Sequence, residues 1–214
     1  MTTPSPHNRV KSDEQSAMSY GNRKPRKHLS EMRLVSDAFG MIPVDTISSV
    51  LDAPCGVGRI SLWLSQKGFD VTGIDLGEAA VRASQEVLTK AELPAHIHIQ
   101  DIFNTSFDDN SFDATVCFRF LHHFRGFEDQ DRLVAELCRV TGKYVVISYF
   151  SPYSVTTIRR RIDHYLGRKP ITQFPTSVFK LNRMFEQAGF RILGKVKRSG
   201  FLHSLQVAVF YKDS

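Results

Sequence analysis

Long apolar runs are missing from this 214-residue chain: no stretch approaches the roughly 18 consecutive apolar residues that a bilayer-spanning helix needs, which argues against a membrane-embedded enzyme. The opening MTTPSPHNRV has no apolar centre of the kind a secretory signal carries, so a soluble, cytoplasmic protein is the expectation. Cysteine is scarce. Cys55, Cys117 and Cys138 show no paired short spacing for zinc, and their odd number argues against a disulfide framework, so no metal is expected and the thiols are expected to be reduced. A third glycine is missing from the glycine-rich loop PCGVGR, where Gly56 and Gly58 are followed by Ile60 and Ser61. The GxGxxG pattern uses that glycine to bring helix against strand, so a nicotinamide dinucleotide is disfavoured.

What the chain does have is VLDAPCGVGRIS, from Val50 to Ser61. Val50 and Leu51 read as the end of a buried strand, Asp52 follows, and Gly56 and Gly58 allow a tight turn and close approach to a ligand before a helix opens near Ile60. Apolar periodicity predicts a helix over 29–39 and then strands and helices in alternation: strand 49–52, helix 60–67, strand 70–75, helix 78–91, strand 96–100, strand 114–118, helix 129–140, strand 144–149. A further helix over 176–188 ends at Gly189, and RILGKVKR and LQVAVFYK read as two last strands separated by a glycine-containing turn. Strands separated by helices imply a parallel sheet. With 42% hydrophobic residues the chain can bury one substantial core: a domain over 29–214, preceded by a polar, basic arm over 1–28 and carrying a basic insertion near 151–175.

Four blocks recur at characteristic distances: the Asp52 loop, VTGID ending in Asp75, HIHIQDIF carrying Asp101, and FDATVCFRFLHHF ending in His122 and His123. In order and spacing they resemble the motifs of class I S-adenosylmethionine-dependent methyltransferases, from Val50 to about Phe150. The resemblance implies a Rossmann-like, doubly wound α/β fold with a seven-stranded, mostly parallel sheet whose last strand is antiparallel. It implies that Asp52, Ala53, Pro54, Gly56 and Gly58 cradle the methionine part of S-adenosylmethionine. Asp75, with Leu76 beside it, corresponds to the acid that takes both ribose hydroxyls. Asp101, Ile102 and Phe103 correspond to the adenine-side segment, and Phe118 to the strand end beside the transferred methyl group; S-adenosylhomocysteine would be the product. Cys55 departs from the family, which often places a glycine or another small residue there. It also follows the first strand rather than the fourth, so it does not match the nucleophile of cytosine C5 methyltransferases.

The candidates for chemistry lie at the carboxyl end of the fourth strand, where doubly wound sheets put their crevice. His123, in LHHF, stands where methyltransferases of the ubiquinone-biosynthesis type carry a histidine in an LEHV-like segment, and His122 is the second candidate base. Both have a structural alternative, packing beneath the cofactor or capping the next helix. Arg119 is expected either to meet an anionic substrate group or to form an ion pair.

Charge points to the acceptor. Residues 1–33 hold seven Lys or Arg against three acids and residues 151–170 five against one, while the whole chain is only +6, so the basic character sits in the arm and the insertion. Tyr20, Tyr149, Tyr153 and Arg160, with Arg119, are the candidate substrate contacts, and the acceptor is read as small or linked to lipid or sugar, and anionic. Nucleic acid is the alternative partner, favoured by the pI of about 9.3. Against it, CFRF lacks the D/N/S-P-P-aromatic element of adenine methyltransferases. A cofactor-binding protein without turnover is the remaining alternative.

Overall fold

The computed structural model describes residues 25–94, 96–197 and 203–213. The elements run α1 (Pro25–Phe39), β1 (Ser49–Asp52), α2 (Arg59–Gln66), β2 (Asp70–Asp75), α3 (Glu78–Lys90), β3 (His96–Ile99), β4 (Phe112–Cys117), α4 (Phe127–Val140), β5 (Thr141–Phe150), α5 (Val155–Tyr165), α6 (Val178–Gln187), β6 (Phe190–Lys197) and β7 (Leu205–Lys212). Short 3-10 turns cover Val44–Thr46 and Leu121–His123. The seven strands form one sheet in the order β3-β2-β1-β4-β5-β7-β6. Pairings among β1 to β5 are parallel, and β7 alone runs against its neighbours β5 and β6. This is the expected mixed sheet with its antiparallel last strand.

Burial follows strand position. Central strands covered on both faces give unbroken buried runs, as in the last six residues of β5, apolar or aromatic except for Ser148, and in VAVF of β7. The edges differ: β3 keeps only Ile97 buried, and β6 turns Arg191, Lys195 and Lys197 along an otherwise open edge, where charge discourages pairing with another strand. One sheet face is packed by Leu34, Val35, Ala38 and Phe39 of α1 with Ile60 and Leu64 of α2. The other is packed by Leu133, Val134 and Leu137 of α4 with Leu181, Met184 and Phe185 of α6. Phe185 lies flat on Phe210 of β7, ring centroids 3.8 Å apart.

Two differences from the sequence expectation bear on the site. Helix α1 starts at Pro25 rather than Leu29, because proline is tolerated in a first helical turn and the polar residues after it complete a turn that apolar periodicity does not register. The basic insertion contains a helix, α5, capped by Ser154, whose hydroxyl accepts the Thr157 N–H at 3.2 Å. Tyr20 and residues 198–202, in the turn between β6 and β7, lie outside the described residues.

Candidate functional site

Parallel pairing brings the carboxyl ends of the strands to one edge: Asp52 stands in register with Gly73 and Val116, and Asp75 with Ile99. The loop after β1 is built around left-handed backbone at Gly56 (φ +54°) and Gly58 (φ +75°). A Cβ on Gly58 would lie 2.5 Å from the Ser84 hydroxyl and 2.9 Å from its Cα, so α3 seats directly against the loop. A Cβ on Gly56 would meet nothing within 4 Å, which leaves room for a ligand against that backbone.

Two carboxylates hold this cradle. Asp75 accepts the Gly56 N–H at 3.1 Å through Oδ2 and the Gly77 N–H at 2.9 Å through Oδ1. Burial raises its pKa, opposed by those N–H donors. Each carboxylate oxygen keeps acceptor capacity for a ligand hydroxyl. Asp52 is fully buried; Ser61 donates to its Oδ2 at 2.6 Å, while its Oδ1 has no hydrogen-bond partner among the described residues. Burial pushes the Asp52 carboxyl up to about 7. An open glycine and an unsatisfied buried oxygen at one loop fit a polar, partly cationic ligand. Asp101 accepts the Phe103 N–H at 3.0 Å, Leu76 is partly exposed, Ala53 and Ile102 are buried, and Phe103 is edge-on to Phe124. Phe118 is 8% exposed and belongs to the core cluster that contains Leu34, Val35, Ala38 and Phe39 of α1. Cys55 is buried and free, as are Cys117 and Cys138, and burial pushes all three thiols well above their ordinary range.

The Leu121–His123 turn separates its two histidines. His122 is 1% exposed, stacked on Phe150 at 4.1 Å, and neither ring nitrogen has a hydrogen-bond partner among the described residues. Burial lowers its pKa to about 2. Of the two candidate bases, His122 is therefore the one placed in the core. His123 is half-buried beside it, ring centroids 4.3 Å apart. Tyr149, a candidate substrate contact, is 1% exposed and its hydroxyl donates to Gln206 at 2.8 Å. Arg119, at φ +60°, pairs with Glu31 of α1 at 3.0 Å, the ion-pair alternative of the sequence reading. Glu31 also meets Arg59, the first residue of α2, at 3.3 Å, so one buried carboxylate ties α1 to both loops. Sequence reasoning missed Glu31, although a signal existed: it shares the helical face of Leu34, Val35 and Ala38, where an acid on a buried stripe needs partners.

His122 offers a pH test. Its folded pKa is depressed from 6.5 to about 2, so the unfolded chain binds the proton preferentially, and stability present above pH 6.5 is lost as pH falls. Replacing His122 with Phe keeps a ring on Phe150 and removes that loss. Urea unfolding is expected to show the variant gaining about 2 kcal/mol on wild type between pH 7 and pH 5. Parallel pH dependences would contradict the burial argument.

Phe150 also lines a cavity of about 160 Å³ whose charged lining is Arg160, Arg161 and Lys169 against one acid, Asp163, with Thr157 and Gln173 beside them. The Arg160 guanidinium lies over the Phe150 ring, 5.7 Å from its centroid, and partial burial lowers its pKa. The segment closing the cavity is pinned to the strand edge: Phe174 N–H donates to the His122 carbonyl at 2.8 Å and Thr176 N–H to that of Phe150 at 2.9 Å. Tyr153 is exposed and does not line this cavity.

A family profile described as methyltransferase domain matches residues 51–146, the span from the end of β1 into β5. Residues 51–146 thus carry a methyltransferase domain. Its strand order and the cradle at Asp52, Gly56 and Asp75 fit S-adenosylmethionine, the methyl donor of this family. The methyltransferase domain is similar to the ubiquinone biosynthesis O-methyltransferase of Coxiella burnetii, 30% identical over 117 residues, 55% of this chain and 46% of that one. It is also similar to an S-adenosyl-L-methionine-dependent Diels-Alderase of Neonectria sp. (strain DH2), 30% identical over 98 residues, 42% of this chain and 40% of that one. The matched stretches thus span less than half of these curated relatives. The magnesium protoporphyrin IX methyltransferase of Synechocystis PCC 6803 with bound S-adenosylhomocysteine shares the fold, with TM-score 0.69, 17% identity, and coverage of 94% of this chain and 84% of that one. Among the described residues no helix is long and apolar enough to cross a membrane, and no group of three metal-binding side chains occurs.

Proposed function

We propose that this protein is an S-adenosylmethionine-dependent methyltransferase acting on a hydroxyl of an anionic acceptor. The observation that carries the proposal is one continuous stretch of structure. The cradle of Asp52, Gly56 and Asp75 and the cationic cavity of Arg160, Arg161 and Lys169 belong to the same carboxyl edge of the sheet, and His123, His122 and Phe150 link the turn after β4 to that cavity.

S-adenosylmethionine, when bound, supplies an electrophilic methyl group. The protein's own contribution is orientation and proton removal. Asp75 holds the loop through Gly56 and Gly77 and offers its remaining acceptor capacity to the ribose hydroxyls. Arg160 and Lys169 neutralise the acceptor's anionic group, and Phe150 provides an apolar wall. His123 takes the hydroxyl proton as a neutral imidazole. Of the named relatives, the O-methyltransferase supports a hydroxyl acceptor, while the Diels-Alderase has in common only its dependence on the same cofactor.

Calorimetric titration with S-adenosylmethionine and S-adenosylhomocysteine, with NADH as control, tests the cofactor assignment. Micromolar or tighter binding of the adenosyl ligands is expected. Asp75→Ala removes a charged acceptor and is expected to cost about 1.5–3 kcal/mol, a roughly 10- to 100-fold weaker Kd. Wild-type affinity in that variant, or preference for NADH, would overturn the reading.

A further inference from the structure

Helix α5 is oriented opposite to the others. α4 and α6 bury their apolar stripes, whereas in α5 Thr157 is the buried residue and Val155, Ile158, Ile162, Tyr165 and the adjoining Leu166 are 49–90% exposed. At about 100° per residue those five side chains share an arc of about 100°, and Arg159 and Arg161 border it on either side. Arg160 points the other way, over Phe150 and into the cavity wall. Arg168 and Lys169 extend the basic border beyond the helix C-terminus, and both are exposed.

We propose that the outer face of α5 docks on the surface of a bilayer containing anionic lipids. An apolar stripe rimmed by arginines satisfies both requirements of an interfacial helix: aliphatic and tyrosine side chains to enter the headgroup boundary, and cations to meet lipid phosphates. The stripe itself argues against a nucleic acid, whose phosphates gain nothing from burying Ile158 and Ile162. A symmetric second copy would set Arg159, Arg161, Arg168 and Lys169 against their own counterparts, a like-charge contact without compensation. The proposal deepens the acceptor reading above, on which it rests for its meaning: the cavity behind α5, through Arg160, lies next to the docked face, so the acceptor is drawn from the lipid phase.

Flotation of the purified full chain with vesicles tests it, without cofactor or acceptor present. Co-flotation is expected with phosphatidylcholine mixed with phosphatidylglycerol and not with phosphatidylcholine alone. Replacing Ile158 and Ile162 together with glutamine is expected to abolish it. Arg159→Gln with Arg168→Gln is expected to weaken partitioning about 30-fold. Unfolding midpoint and S-adenosylmethionine affinity are expected to stay at wild-type values in both variants. Absence of co-flotation, indifference to lipid charge, or retained binding in the glutamine variant would overturn the proposal. So would tight oligonucleotide binding, or a dimer in sedimentation, that replaces vesicle binding. Protein that binds S-adenosylmethionine but ignores vesicles defeats docking alone. Protein that floats but does not bind S-adenosylmethionine defeats the methyl-donor reading alone.

Discussion

Glu31→Ala is expected to destabilise the folded protein by about 3–5 kcal/mol, because it leaves two guanidinium groups facing a site built around a carboxylate. The Glu31 side chain is 4% exposed, and its partners Arg119 and Arg59 are 15% and 19% exposed, so water can compensate little of the lost charge. The energetic cost is not the net worth of the ion pairs, which burial makes expensive to form. It arises from removing one partner while the others stay buried. The loss should also reach the site. Arg59 opens α2 directly after Gly58, and Arg119 follows β4, so both loops around the cradle lose their tie to Glu31, while Arg59 keeps its contact with His28 of α1 at 3.1 Å. Urea unfolding measures the first effect and S-adenosylmethionine titration the second. A change below about 1 kcal/mol would mean that the network is screened like an exposed pair.

His123→Gln is expected to lower kcat by about 100- to 10,000-fold once an acceptor is in hand, the range associated with loss of a general base. The cofactor Kd should remain near wild type, since His123 lies at the turn after β4 and the cradle's hydrogen bonds come from Asp75 and Asp52. A structural role predicts something else, a lower unfolding midpoint with kcat preserved. The pH profile separates the two further. A base at His123 gives a rate that falls on the acidic side in wild type, and the glutamine variant should lose that limb. His122 does not contribute it, because burial keeps its ring neutral down to about pH 2.

The legible part of the fold was local. Gly56 and Gly58 stand out in sequence because only glycine adopts their positive φ cheaply, and Asp75 because it ends a run of β-pattern residues before a helix. Such signals lie within a few residues of what they specify. The order of strands is not legible in the sequence, since pairing β1 with β4 and β5 with β7 is a long-range choice that no window of sequence contains. Helix α5 is legible only as an exposed helical alternative for the basic insertion, because in TTIRRRIDHY the apolar stripe faces out, rimmed by charge.

The sequence by itself therefore determined the α/β class, the glycine loop, the acidic residues after β1, β2 and β3, and the two basic segments. These follow from backbone conformational limits, apolar periodicity and charge, all properties of neighbouring residues. The tertiary structure decided which of two adjacent histidines is buried and whether Arg119 meets an acid. It also decided that Tyr149 is core, and which way Arg160 turns. Those outcomes depend on desolvation and on partners far away in the chain: Phe150 over His122, Glu31 beside Arg119, Gln206 beneath Tyr149. Burial sets the charge state and reach of a side chain, and burial exists only once the sheet has closed its layers.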